Sequence, residues 1–163
     1  MDHDPRVRTG DDLGLDYQGN IVSRGLGRLV PSWIAKRAIS VSVSTDRDVY
    51  DRGEPVAFTV TFTNRLPVAL TVPTPTQRRW GWTVDGYLEA STERRYLSET
   101  PATFQFRAGQ TRRISVEWNG RIRHTGSQDE STVPEPGEYE LAAFLATRPE
   151  STRPSDSTTI RLR

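Results

Sequence analysis

The chain of 163 residues contains no cysteine. That excludes disulfides, thiolate metal ligands and a cysteine nucleophile. Histidine is nearly as scarce: His3 and His124 are the only two, too few to build a zinc site. His124 has Ser127 and Asp129 nearby in sequence, but the members of a catalytic triad come from separate rigid elements. It therefore reads as a solvated loop histidine, and no catalytic residue, metal or cofactor is expected. Also missing is any apolar run approaching the ~20 residues of a membrane-spanning helix. The opening M-D-H-D-P-R has no apolar core of the kind a secretory signal needs. The expected location is the cytoplasm, with no membrane span.

Lysine is almost absent too. Of 22 basic residues only Lys36 is a lysine. The arginine bias reads either as genomic base composition or as selection for guanidinium contacts to carboxylate or phosphate. Net charge is +1, and from residue 38 onward acidic and basic residues balance, so no nucleic-acid partner is expected. The pairs Arg78-Arg79, Arg94-Arg95 and Arg112-Arg113, with Arg121 and Arg123, do not make a basic stripe by themselves. Adjacent residues on a strand face opposite ways.

What the chain does have is alternation. Residues 55–64 read P-V-A-F-T-V-T-F-T-N, with Val56, Phe58, Val60 and Phe62 on one side and Ala57, Thr59, Thr61 and Thr63 on the other. That period of two predicts a strand with one buried face, and such a face needs a second layer to cover it. The same pattern recurs at Ile39, Val41 and Val43; at Val68, Leu70 and Val72; at Trp80, Trp82 and Val84; at Phe104 and Phe106; at Ile114, Val116 and Trp118; at Tyr139, Leu141, Ala143 and Leu145; and at Ile160 and Leu162.

Turn signals separate these runs. Gly53 is placed to supply a positive φ, and Tyr50 to cap the core. Asp85-Gly86 predicts a type I′ hairpin, and Asn119-Gly120 and Pro136-Gly137 mark further turns. Pro73-Thr74-Pro75 is expected to end ladder pairing. Residues 121–135 read as a long polar loop. Asp46, Asp48 and Asp51 crowd together without the glycine and final glutamate of an EF-hand loop, so they read as turn residues. Seven to nine short strands predict an all-β, immunoglobulin-like antiparallel β-sandwich. Four Trp and five Phe are available to fill the space between its sheets. Tyr139 is placed like the tyrosine of a tyrosine corner.

Residues 1–37 read as an N-terminal extension to the domain at 38–163. Up to residue 20 there are five Asp, several Gly and no hydrophobic period, which reads as loosely attached or disordered. Between residues 21 and 37 the sign flips to Arg24, Arg28, Lys36 and Arg37, with Val22, Leu26, Leu29, Val30, Trp33 and Ile34 near helical spacing. Gly25, Gly27 and Pro31 oppose a continuous helix, although a short one can start at Pro31. Gly25-Leu26-Gly27 lacks the third glycine and the preceding strand of a phosphate-binding loop. The segment either packs on the domain's own sheet, docks another protein or lies on a membrane surface.

Four pieces in order carry a family resemblance: Y-D-R-G-E-P-V with F-T-V-T-F-T-N (residues 50–64), L-T-V-P-T-P-T-Q with R-W-G-W-T-V-D-G (70–86), F-Q-F-R-A-G-Q with S-V-E-W-N-G (104–120), and P-G-E-Y-E-L-A-A-F-L (136–145). On these the chain from residue 39 to 162 resembles the intracellular proteinase inhibitor family, the BsuPI domain. The resemblance implies an immunoglobulin-like sandwich and inhibition of a cytoplasmic serine protease.

The expectation is thus a non-catalytic protein-binding module rather than an enzyme. The alternative is a structural or assembly subunit that joins further copies or a larger complex through its N-terminal segment. The candidate contact regions are 21–37, 74–79 and 121–135, and the candidate contact residues are Leu29, Val30, Trp33, Ile34, Arg78, Arg79, Arg121 and Arg123.

Overall fold

The computed structural model describes residues 31–88, 99–124 and 130–163. In chain order the elements are helix α1 (Ser32–Ala38) and strands β1 (Ile39–Thr45), β2 (Val49–Tyr50), β3 (Val56–Asn64), β4 (Leu70–Thr74), β5 (Trp80–Val84) and β6 (Tyr87–Leu88). After them come β7 (Ala102–Phe106), β8 (Thr111–Trp118), β9 (Ile122–His124), β10 (Glu130–Thr132), β11 (Gly137–Leu145), the 3₁₀ turn Glu150–Thr152 and β12 (Ser155–Leu162).

The alternating stretch anticipated at 55–64 is β3, the middle strand of a three-stranded sheet in the order β1-β3-β8. Val56, Phe58, Val60 and Phe62 are all buried. A second sheet runs β2-β12-β11-β5-β6. With β1-β3-β8 facing β12-β11-β5, and β6 added beside β5, this is the strand order of an immunoglobulin-like sandwich. The pairing is antiparallel except where Val49 and Tyr50 run parallel to Arg161 and Leu162.

Edge-to-face rings fix the two sheets to each other: Phe58 on Trp82 at 5.3 Å and Phe62 on Trp80 at 5.9 Å between centroids. Full burial of each such ring stabilises by about 1.5–3 kcal/mol. The free edge of β1 is closed by a side chain, because the Val43 N–H donates to Asp156 Oδ2 at 2.8 Å.

Two turn expectations differ from the structure. Proline was expected to end pairing at residue 73, yet Pro73 lies opposite Thr103 inside the β4–β7 ladder. Among the described residues β4 has β7 as its single hydrogen-bonded neighbour, and an edge strand tolerates a missing N–H. Residues 121–135 are not one loop: β9 and β10 pair as a small hairpin. Ile122, an isolated apolar residue in a polar stretch, is buried in the core and anchors it. Pro31 lies one position before α1 as its N-cap, and its carbonyl accepts from the N–H groups of Ile34 and Ala35.

Other local features follow the residue chemistry. Asp85 and Gly86 both have positive φ, 46° and 80°, as a type I′ turn requires. The Tyr139 hydroxyl donates to the Glu135 carbonyl at 2.7 Å, the tyrosine-corner geometry. Buried Asn64 ties two loops, β3–β4 and β7–β8: Nδ2 donates to the carbonyls of Val68 and Arg107, and Oδ1 accepts from the Leu66 N–H.

Helix α1 packs into this body. Ala35 and Ala38, three residues apart on one helical face, are 1% and 7% exposed. The two nearest positions on the opposite face are Trp33, which is 61% exposed, and Arg37, also exposed. The expected disorder of residues 1–20, and Leu29 and Val30, lie outside the described residues.

Candidate functional site

The six expected contact residues that are described do not form one surface. β3 spans roughly 30 Å at 3.3–3.4 Å per residue, and the candidates divide between its two ends.

At the α1 end, the Arg65 N–H donates to the Ala38 carbonyl, Lys36 Nζ donates to the Arg148 carbonyl, and the Ala146 N–H donates to the Arg79 carbonyl. These links bring α1, the turn after β3, the β4–β5 loop and the β11–β12 loop together. Trp33, Ile34, Arg78 and Arg79 all belong here; Ile34 and Arg78 are half-buried and Arg79 is exposed.

Arg121 and Arg123 belong to the other end, which we call the Tyr50 end. Val56 pairs there with Trp118, and Trp118 Nε1 donates to the Arg121 carbonyl at 2.7 Å. Gly120 adopts φ +70° against the Gly53 and Glu54 backbone.

Electrostatically the two ends are opposites. At the Tyr50 end three guanidinium groups meet carboxylates: Arg47 Nη2 to Glu54 Oε1 at 2.6 Å, Arg52 Nη2 to Glu135 Oε1 at 2.6 Å, and Arg163 Nε to Asp51 Oδ1 at 2.8 Å. The Tyr50 hydroxyl donates to Asp46. That hydrogen bond is the main cause holding the Asp46 carboxyl below its ordinary range. The hydrogen bond from Arg47 likewise lowers Glu54, and Glu54 raises Arg47. Burial, followed by the bond to Asp46, pushes the Tyr50 phenol up. Of the crowded aspartates, Asp46 is taken up by Tyr50 and Arg47 and Asp51 by Arg163.

At the α1 end the cations mostly face neutral groups. Arg79 Nε donates to the Thr103 carbonyl at 2.9 Å. Arg153 lies 3.6 Å above the Phe144 ring, with Glu150 at 3.9 Å. Arg37, Arg65, Arg107 and Arg148 are all exposed, and among the described residues no carboxylate lies within ion-pair distance of any of them. In the same loop the buried Thr147 Oγ1 has no hydrogen-bond partner among the described residues.

Sequence reasoning did not single out Arg65, Arg107 or Arg148. Each follows the last residues of a strand, Asn64, Phe106 and Leu145. A basic residue just past a strand end was the available signal, but it becomes informative only once the ends are known to gather in space. Among the described residues no group of three or more His, Asp or Glu is placed to hold a metal. No helix of the described residues is long and apolar enough to cross a membrane.

Together these features define an immunoglobulin-like sandwich with electrostatically opposed ends. The chain belongs to DUF7974, a family of unknown function, whose match covers residues 27–163 and so takes in α1. No curated protein matches it.

Among solved structures it is similar to a β-glucosidase from Listeria innocua, at 14% identity and a TM-score of 0.46, over 76% of this chain and 16% of that one. It thus spans about a sixth of the enzyme's length. It is similar to the CARDB domain of a Pyrococcus furiosus protein at 12% identity and a TM-score of 0.46, over 77% of this chain and 94% of that one. A third similarity is to an alkylpurine DNA glycosylase from Pseudomonas fluorescens bound to DNA, at 15% identity and a TM-score of 0.46, over 93% and 40% of the two chains.

Proposed function

We propose that this chain is a non-catalytic protein-binding module that meets its partner with the α1 end of the sandwich. One observation carries the reading: exposed Arg37, Arg65, Arg79, Arg107 and Arg148, from α1 and several loops, gather at that end with no carboxylate in ion-pair distance of them among the described residues, beside the exposed Trp33. Desolvated arginine and tryptophan are the side chains that most often anchor a protein interface. The resemblance to intracellular proteinase inhibitors supports a cytoplasmic serine protease as the partner class. The exposure of Trp33 also supports a second reading, in which the same end joins further copies of the chain.

The test compares the full chain with its Trp33→Ala and Arg79→Glu variants. Inhibition is measured against a panel of cytoplasmic serine proteases, and particle mass by light scattering. Inhibition that weakens in both variants supports the protease reading. A multimeric mass that drops to the monomer in both, without inhibition, supports the assembly reading. A monomer that inhibits nothing removes both.

A further inference from the structure

The sequence itself contains a segment whose chemistry matches the α1 end. Among residues 1–16 are Asp2, Asp4, Asp11, Asp12 and Asp16, against Arg6 and Arg8. The last three aspartates are interleaved with Leu13, Leu15 and Tyr17. We infer that the α1 end docks an acidic, apolar-interleaved polypeptide segment, and that residues 2–17 of the same chain are its resident occupant. This rests on the proposed role of the α1 end as the partner-binding surface.

Three observations carry the inference. The first is charge complementarity. Four exposed cations with no carboxylate partner among the described residues, Arg37, Arg65, Arg107 and Arg148, lie at this end, against Arg121 and Arg161 at the other, whereas the body as a whole has balanced charge. Attraction is therefore local, within a Debye length of about 8 Å at physiological salt. A local field suits a short acidic segment better than a long polyanion. A nucleic acid following the molecule's length would meet Asp46, Asp51, Glu54 and Glu135 roughly 30 Å away.

The second is apolar complementarity. Trp33, with the half-buried Ile34 beside it, offers contact area to Leu13, Leu15 and Tyr17. The third is tether length. Pro31 already sits at the α1 end, and the residues between Asp16 and Pro31 span up to about 50 Å when extended. That is ample to return to the surface, and a tether of this length gives an effective concentration on the order of millimolar. An external acidic partner must then displace the resident segment.

The test uses the full chain, a variant with all five aspartates changed to Asn, and that variant with Arg37→Glu and Arg148→Glu added. The probes are a synthetic peptide of residues 1–20 and a 20-nucleotide single-stranded DNA, titrated calorimetrically in 50 and 500 mM NaCl. The peptide is expected to bind the five-Asn variant at least about tenfold more tightly than the wild-type chain, whose surface is occupied. Binding should weaken at high salt and be lost with the glutamates. Replacing the same two arginines with lysine retains it, which separates loss of charge from misfolding.

Equal peptide affinity for wild type and five-Asn variant overturns the inference, as does absence of binding to either, or tighter binding of the DNA than of the peptide. If the peptide fails while Trp33→Ala still changes inhibition or particle mass, the α1 end remains the partner surface and the acidic occupant is wrong.

Discussion

At the Tyr50 end, Arg47, Arg52 and Arg163 each meet a carboxylate within 2.6–2.8 Å. At the α1 end, Lys36 and Arg79 meet backbone carbonyls, Arg153 lies on a ring face, and Arg37, Arg65, Arg107 and Arg148 have no carboxylate among the described residues. Both ends are made of turns between the same strands, and rings pack beneath each: Phe58 on Trp82 toward one and Phe62 on Trp80 toward the other. The contrast is therefore confined to the surface. One end pairs three of its arginines with its own carboxylates, and the other holds four exposed arginines with no carboxylate partner among the described residues.

The sharpest way to break this contrast is to show that the core distinguishes the ends. Phe58→Ala and Phe62→Ala remove rings from opposite halves of one core, and each should cost about 3–5 kcal/mol in denaturant unfolding. If one of them costs under ~1 kcal/mol, the halves are not one cooperative unit.

Gly120→Ala comes next. A Cβ there would lie 2.6 Å from the Glu54 carbonyl oxygen, at a φ of +70°. The expected loss is about 2–3 kcal/mol, against about 1 kcal/mol for Gly109→Ala at the α1 end, where φ is also positive but nothing lies within 4 Å. Comparable losses in the two would show that φ alone, and not the close approach at the Tyr50 end, sets the cost.

Tyr139→Phe removes the hydrogen bond to the Glu135 carbonyl and should cost about 0.5–1.5 kcal/mol. At the α1 end Thr147→Val should instead raise the melting temperature, because it deletes a buried hydroxyl that lacks a partner. A fall on Thr147→Val would mean that the hydroxyl is satisfied.

The smallest effects are electrostatic. Asp46 and Glu54 have folded-state values held below their ordinary 3.8 and 4.5. Their contribution is present above those values and is lost as pH falls through the lowered ones. Stability should decline below about pH 4.5, and Arg47→Ala should flatten that decline. Arg37 has no carboxylate partner among the described residues, so Arg37→Ala should leave the acid limb unchanged. These pairs are exposed and screened by solvent and salt, so high salt should erase most of the difference between wild type and Arg47→Ala.

Much of the fold was legible because a period of two is written in adjacent residues. β3, β8 and β11 could be read from Phe58, Val116 and Leu141 with their alternating neighbours, and the positive φ at Asp85 and Gly86 from two letters. Pairing was not legible in the same way. Whether Pro73 breaks a ladder depends on how many neighbours β4 has, which is a property of the assembled sheet.

The candidate surface was the least legible part. Arg79 and Trp33 could be singled out along the chain, but Arg65, Arg107 and Arg148 join them only because three strand ends meet. Conversely Arg121 and Arg123, grouped with Arg78 and Arg79 on residue type, fold to the opposite end.

The carboxylate of Asp156 that occupies the Val43 N–H has a consequence for behaviour at high concentration. An outermost strand with an open row of amides is a template on which another molecule's strand can grow. Here a bulky negative group stands in that row, so two molecules pressed together meet through side chains and separate again on dilution. Asp156→Ala should convert that reversible crowding into fibrous precipitate long before it affects the melting point.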